Sequence, residues 1–522
     1  MPDMPSNYEM IDWKRKALDY DAYVFDWNRT EEPGSLIWLD KTQKNFPQNT
    51  FGLYTTVKDS RQGPLNPSSH EAINTIAAVL GAGLVGIDKT NQDGYNYPKM
   101  LQNYFAKDND WRIMLNGTSG FAGDWWYNVL PNILYYALCD VFPDVDGAEA
   151  IQKSIADKFA EADRTLGSNY DYSYFDYRTM RGYKTRIPHQ QDAAGGHAYV
   201  LLCAYKKFGE SEYLERAKNA VDVLNAQVES RFYEILMPFG AFAAAYLNAK
   251  EGTDYDVKKI LDWTFEGCKS GSGRYGWGVI IGKWGNYDVY GLQGSTTDGG
   301  GYAFLMNSFE MALALVPLVK YAPEFAVAIG KWMLNNASAT RLFYPENIAD
   351  ENQFLPHLKH LTNNNIGYEG IRYTDRYGKY SANPIAEGDG PSWTKNNPEE
   401  TMFSLYSSSP VGIFGAIIEK TDVEGILKLD CNVTDFYSEC PYPVYLIYNP
   451  YKEEKTISYS VSKESDLFNI VRNDYVSHGV SGSTRISIPA RQAVLITELP
   501  AGAELNDRDG KIVAERKYII SY

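Results

Sequence analysis

The sequence predicts a mainly α fold: an (α/α) toroid of six hairpins, closed by a C-terminal antiparallel β-sandwich. Three observations carry that prediction. Helical runs that are apolar all round alternate with runs apolar on one face, and the couplet recurs at intervals of roughly forty to sixty residues. Long aromatic loops lie between the couplets, where an open α-solenoid would need a tighter repeat and shorter loops. From about Glu424 the pattern changes to alternating β-branched and aromatic residues.

Taken in order, residues 1–68 are irregular and aromatic (YDAYVFDWNR, GSLIWLD, FGLYTTVKDSRQGPLNP) and are expected to wrap a scaffold. Residues 69–423 are expected to form the toroid. Its first helix covers residues 70–84, HEAINTIAAVLGAGL, behind a Ser-Ser cap. A shorter one covers 95–105. Residues 125–139 are apolar nearly all round, which means a buried helix, and 147–166 are its amphipathic partner. The couplet repeats at 192–208 with 212–228, at 237–247 with 257–268, and at 302–320 with 324–336. Residues 424–522 supply the strands VYLIYNP, KTISYSV, LFNIVR, TRISIPA, QAVLITEL and KYIISY, with Asp509-Gly510 as a hairpin turn.

Composition narrows the function. The chain has 522 residues, of which 14% are aromatic, including 41 Tyr and 11 Trp. Tyrosine in that excess suits a groove that is apolar and hydrogen-bonding at once. A net charge of −16 argues against a nucleic-acid partner, which needs a basic footprint. Five scattered cysteines form no CxxC pair, so neither a disulfide framework nor a thiolate zinc site is expected. Cys431 and Cys440 could bridge a loop or stay unpaired. His357 and His360, in HLKH, lack the acidic partner that would complete a metal site. No metal and no cofactor are expected. No apolar run is long enough to span a membrane. The N-terminus has no signal-peptide core, so the chain is read as cytoplasmic or as one whose signal was removed.

Four constellations could carry chemistry. The first, NGTSGFAGDWWYN, places Asp124 and Trp125 where a buried helix begins. The second, RIPHQQDAAGGH, crowds Arg186, His189, Gln190, Gln191 and Asp192 before another. The third, residues 283–307, holds Lys283, Trp284, Tyr287, Asp288, Asp298 and Tyr302 around three glycines, with Glu310 deeper in the following apolar helix. A carboxylate there must be paired, neutral or facing a polar cavity. The fourth, residues 366–393, carries Tyr368, Glu369, Arg372, Glu387 and Asp389 in a long irregular segment. Each group also has a plain structural reading, such as a helix cap for Asp124, Asp192 and Asp298.

GDWW, HQQDAAGG and STTDGGGY look like carbohydrate-enzyme loop motifs. With the toroid and sandwich they make residues 70–522 resemble the six-hairpin glycosidase-like (α/α) toroid enzymes, glycoside hydrolases and polysaccharide lyases. The resemblance implies an oligo- or polysaccharide substrate and a cleft at one end of the toroid. A hydrolase needs a carboxylic acid and a carboxylate, for which Asp192 and Asp298 are the expected pair. Asp124, Trp125, His189, Gln190, Trp284, Tyr287, Asp288, Tyr302, Tyr368, Glu369 and Arg372 are the expected substrate-binding set. A lyase would instead use His189 or Tyr302 as base, with Arg372 and Gln190 on a uronate carboxylate. A glycan-binding protein without a working acid pair is the third reading.

Overall fold

A computed structural model describes residues 1–66, 69–108, 110–118, 123–185, 187, 189–266 and 276–522. Six helices built from the apolar runs are buried along almost their whole lengths: Ala72–Leu84, Trp126–Val141, Ala193–Phe208, Met237–Glu251, Leu305–Leu318 and Val411–Ile417. Each packs on the next in chain order, and the last packs back on the first, so the six close a circuit. Glycine lets neighbours approach closely. A Cβ on Gly240 would stand 2.9 Å from the Gly195 Cα, and one on Gly412 would stand 2.2 Å from the Gly81 carbonyl oxygen. The second contact is the seam of the circuit.

Amphipathic helices pack outside. Ala148–Leu166 and Ser211–Ala226 flank Ala193–Phe208, Val257–Glu266 lies on Met237–Glu251, and Ala326–Thr340 lies on Leu305–Leu318. The N-terminal segment is more ordered than its composition suggests. Trp13–Val24 is a helix, capped by the Asp12 carboxylate on the Arg15 N–H at 2.9 Å, and it packs on Val411–Ile417. Its buried Trp13, Ala17, Tyr20, Asp21 and Val24 recur at helical spacing. The strands Ile37–Asp40 and Thr50–Leu53 pair antiparallel after it.

The N-terminal ends of the six buried helices gather at one pole. The Ala72 N–H donates to the Asn116 carbonyl at 2.6 Å. Gln190 Oε1 accepts from the Trp126 N–H at 3.2 Å, and Asp192 Oδ2 accepts from the Tyr233 N–H at 3.0 Å. A five-stranded antiparallel sheet covers part of this pole, in the order Ile385–Glu387, Gly370–Arg372, Tyr302–Phe304, Gln293–Ser295, Trp277–Val279. It corrects the expected helix start at residue 302. Tyr302–Phe304 is a strand held between Arg372 and Ser295 partners, and the helix begins at Leu305.

The C-terminal region has two layers. A six-stranded sheet runs Ile418–Lys420, Leu427–Asp430, Val444–Tyr448, Ala493–Pro500, Ser465–Asn469, Asp474–Val480. Its first strand starts before the expected boundary at 424. A two-stranded sheet, Lys455–Ser460 with Ser483–Ile488, seals a separate core of Ile447, Ile457, Leu467, Ile486 and Ile496 against it. The opposite face, through Leu446, Tyr448 and Leu495, joins the helical core. Buried Asp435 fastens the two regions. It pairs with Lys206 at 3.1 Å and Lys320 at 2.8 Å and accepts from Tyr321 Oη at 2.7 Å.

Cys139, Cys203, Cys431 and Cys440 are free thiols, so no bridge joins the last two; Cys268 lies outside the described residues. Among the described residues no helix is long and apolar enough to cross a membrane.

Candidate functional site

Several residues expected at a substrate surface are committed to the fold. The Trp125 ring is fully buried, stacked on Tyr170 and Phe175 with centroids 5.6 Å away in both cases, and its indole N–H donates to Tyr177 Oη at 3.1 Å. Tyr368 is equally buried and accepts from the Leu355 N–H at 3.0 Å. Tyr287 Oη accepts from the Ala349 N–H at 3.0 Å and donates to Asn352 at 3.3 Å. Asp288 holds the N-terminal segment: its Oδ2 accepts from the Ser6 N–H at 2.7 Å and the Ser6 hydroxyl at 2.8 Å, and Lys283 stands 3.2 Å from its Oδ1. Gln190 ties the start of Trp126–Val141 to the Ser173 carbonyl, 3.2 Å from its Nε2. His189 is bound to Asp171, which Lys184 also holds at 2.8 Å. Arg186 lies outside the described residues. Trp284 is buried, its ring filling the space that a Cβ on Gly301 would occupy.

The third and fourth constellations do meet, as an ion-pair cluster on the five-stranded sheet. Arg372 is its centre and only 5% exposed. Its guanidinium stands 3.2 Å from Asp298, 3.0 Å from Glu387 and 3.5 Å from Asp389, and lies over the Tyr302 ring at 3.9 Å. Arg376 also pairs with Asp389. Glu369 Oε2 accepts from the Asp389 N–H at 2.8 Å, and Tyr302 Oη stands 3.5 Å from Glu369 Oε1. Arg372 is thus surrounded by protein carboxylates, with a hydrogen bond to Asp298 and an Nε that is buried without one. Asp298, half-exposed on the short 3-10 turn Asp298–Gly300, is one of those counter-charges.

Asp192 is 1% exposed. Burial raises its pKa well above the ordinary carboxyl range. Its Oδ2 fixes the Tyr233 backbone; Oδ1 is buried without a hydrogen bond. In that place it braces the segment leading into Met237–Glu251.

That segment ends in Glu234, and Glu234 belongs to a constellation that local sequence reading missed. Five residues from distant parts of the chain converge at the gathered N-terminal ends: Glu71, Tyr127, Glu234, Glu310 and Tyr406. Tyr127 shares a hydrogen bond with Tyr406 and lies in the field of Glu71, Glu234 and Asp124. Tyr406 feels the same two glutamates and Glu310. Glu71 and Tyr127 keep some exposed surface as whole residues, but their carboxyl and hydroxyl groups are buried. Burial of its carboxylate raises Glu71 to about 7, against the pull of Arg61 and of an Asn116 amide hydrogen bond. Glu310 is fully buried, neither oxygen has a hydrogen bond, and burial pushes it to about 8.

The Glu234 backbone has φ +62°, a left-handed conformation that costs a non-glycine residue free energy and recurs at functional sites. Two buried amides hold it there, Gln293 and Asn307, each donating to the Glu234 carbonyl at 2.8 Å. Above the group, Arg61 is gripped by Asp59 at 2.7 Å and stacks over the half-buried Trp393 ring at 4.0 Å. Among the described residues no cluster of His, Cys, Asp and Glu could hold a metal ion.

No protein-family model matches the chain, and no curated protein matches it. Solved structures similar to it include a GH127 β-L-arabinofuranosidase from Geobacillus stearothermophilus T6, at 10% identity over 98% of this chain and 85% of that one, with a TM-score of 0.35. A structure described as a glycoside hydrolase matches at 10% identity over 85% and 76%, with a TM-score of 0.38. A second GH127 β-arabinofuranosidase matches at 11% identity over 85% and 74%, with a TM-score of 0.31.

Proposed function

We propose that the chain is an enzyme that hydrolyses glycosidic bonds of an oligo- or polysaccharide, and that Glu71 and Glu234 are its carboxylate pair. On this reading the six-helix circuit is the inner ring of an (α/α) toroid and the amphipathic helices its outer ring. The observation that carries the proposal is the placement of those two glutamates around Tyr127 and Tyr406, where the helix N-termini gather. A glycosidase needs one carboxyl that is protonated near neutral pH to give its proton to the leaving oxygen. Glu71, pushed up to about 7 by burial, meets that need. The second carboxylate attacks the anomeric carbon or activates water, and Glu234 takes that part. The Tyr127 and Tyr406 hydroxyls bind sugar hydroxyls between them. Asp124 lies in the field of Tyr127 and stays in the substrate-binding set.

The alternative, β-elimination, needs a tyrosine or histidine base and a cation for the uronate. Burial raises Tyr127 and Tyr406 well above 10, which makes each a poor base. Arg372 is occupied by three carboxylates and His189 by Asp171. The test is incubation with a polysaccharide panel, followed by assay of new reducing ends and of the ultraviolet absorbance of an unsaturated uronate. Reducing ends without absorbance support hydrolysis; both together support elimination; neither leaves the glycan-binding reading.

A further inference from the structure

At the opposite pole, the C-terminal ends of three buried helices face the β-sandwich across a cavity of about 300 Å³. That volume is at the small end of ligand sites. Tyr205 and Lys206 come from Ala193–Phe208, Tyr246 and Lys250 from Met237–Glu251, Lys320 and Tyr321 follow Leu305–Leu318, and Tyr522, just after the strand Tyr518–Ser521, closes the far wall.

The polar groups in this cavity divide into two kinds. Lys206, Lys320 and the Tyr321 hydroxyl are all bound to Asp435. Lys250 has no carboxylate within salt-bridge distance among the described residues, and its ammonium lies 5.5 Å from the Tyr522 ring. The hydroxyls of Tyr205, Tyr246 and Tyr522 make no hydrogen bond to described residues and are not sealed from the cavity. Glu251 and Glu439 line the same space. The wall thus offers donors and acceptors of both charge signs without a dominant field, on flat phenol rings. An anion would meet Glu251, Glu439 and the negative ends of three helix dipoles, and a cation would meet Lys250. A neutral polyhydroxylated ring meets neither penalty and uses both kinds of partner.

We infer that this cavity is a second binding site, separate from the glutamate pair, and that it takes one neutral sugar unit. The inference stands whether or not the Glu71 site is a hydrolase. The test is calorimetric titration of the full chain carrying Glu71→Gln with methyl glycosides of neutral pyranoses and furanoses, beside methyl glucuronide and choline as charged probes. Millimolar or tighter binding of a neutral glycoside is expected. Tyr246→Phe, which removes one hydroxyl and keeps the fold, should weaken it several-fold, and Lys250→Met at least tenfold. Unchanged affinity in both variants would place the bound sugar elsewhere and overturn the inference. So would preferential binding of glucuronide or choline, or no binding of any neutral glycoside by the parent chain.

Discussion

Two acid-rich constellations stand at the same end of the buried helices, and they differ in what neutralises them. On the five-stranded sheet, Asp298, Glu387 and Asp389 surround Arg372, with Arg376 beside them. Among the helix N-termini, Glu71 has an amide partner and a guanidinium acting only through space, and Glu310 has no polar partner. Contact with arginine favours the ionised form, yet burial still raises Glu387, 3.0 Å from Arg372, to about 8. Burial raises Glu71 to about 7 and Glu310 to about 8 with no arginine in contact among the described residues. The difference is therefore one of charge compensation: two guanidinium groups stand among the sheet carboxylates, and Glu71 feels its arginine only through space.

The largest test of that contrast is Glu71→Gln. It should lower kcat/KM on any cleaved glycan by at least ~10²-fold, the low end for general acid catalysis. It should also abolish the loss of activity as pH rises through about 7, because the acid works only while protonated. A pH–rate profile unchanged in the variant would break the assignment. Next, Arg372→Met leaves three carboxylates facing one another in a buried place and should destabilise the fold by about 3–5 kcal/mol, read by chemical denaturation. A near-wild-type midpoint would mean that the sheet does not depend on this cluster.

Glu310→Gln should change the slope of stability with pH. Glu310 titrates at about 8 when folded and near the ordinary glutamate range when unfolded. Between those values the folded chain holds the extra proton, so wild-type stability falls as pH rises across the window. The variant should flatten that fall, and identical slopes in the two proteins would refute the neutral-acid reading. The smallest effect is expected for Asp298→Asn. A half-exposed ion pair contributes about 0–1 kcal/mol, and activity should stay within a few-fold. A large loss of kcat with an unmoved Tm would return Asp298 to the catalytic pair.

The helices were legible because an all-round apolar run such as WWYNVLPNILYYALC has few places to go except a buried position. The alternating strands of the sandwich were legible for the matching reason. The five-stranded sheet was not: its strands are three residues long, and three contain glycine, QGS, GIR and WGV. Reading for dense local motifs favoured Asp192 and Asp298, whereas the pair proposed here comes from sparse positions. Segments such as residues 366–393 put arginines near carboxylates in sequence, and the same nearness lets them neutralise one another in space. Glu71, Glu234 and Tyr406 stand well over a hundred residues apart in the chain, and only closure of the circuit brings them together. Glu310 was the exception. A lone carboxylate in LMNSFEMALAL was a visible conflict between burial and charge, and it is buried without a hydrogen bond.

The glycine seam between Gly81 and Gly412 also sets an order of events. The circuit cannot close until the chain has been made almost to its end, so the first five buried helices wait with apolar faces uncovered. Contacts of such long sequence separation slow folding and prolong exposure to aggregation. During synthesis, helix Trp13–Val24 waits longest, because the helix it packs on, Val411–Ile417, emerges nearly 400 residues later.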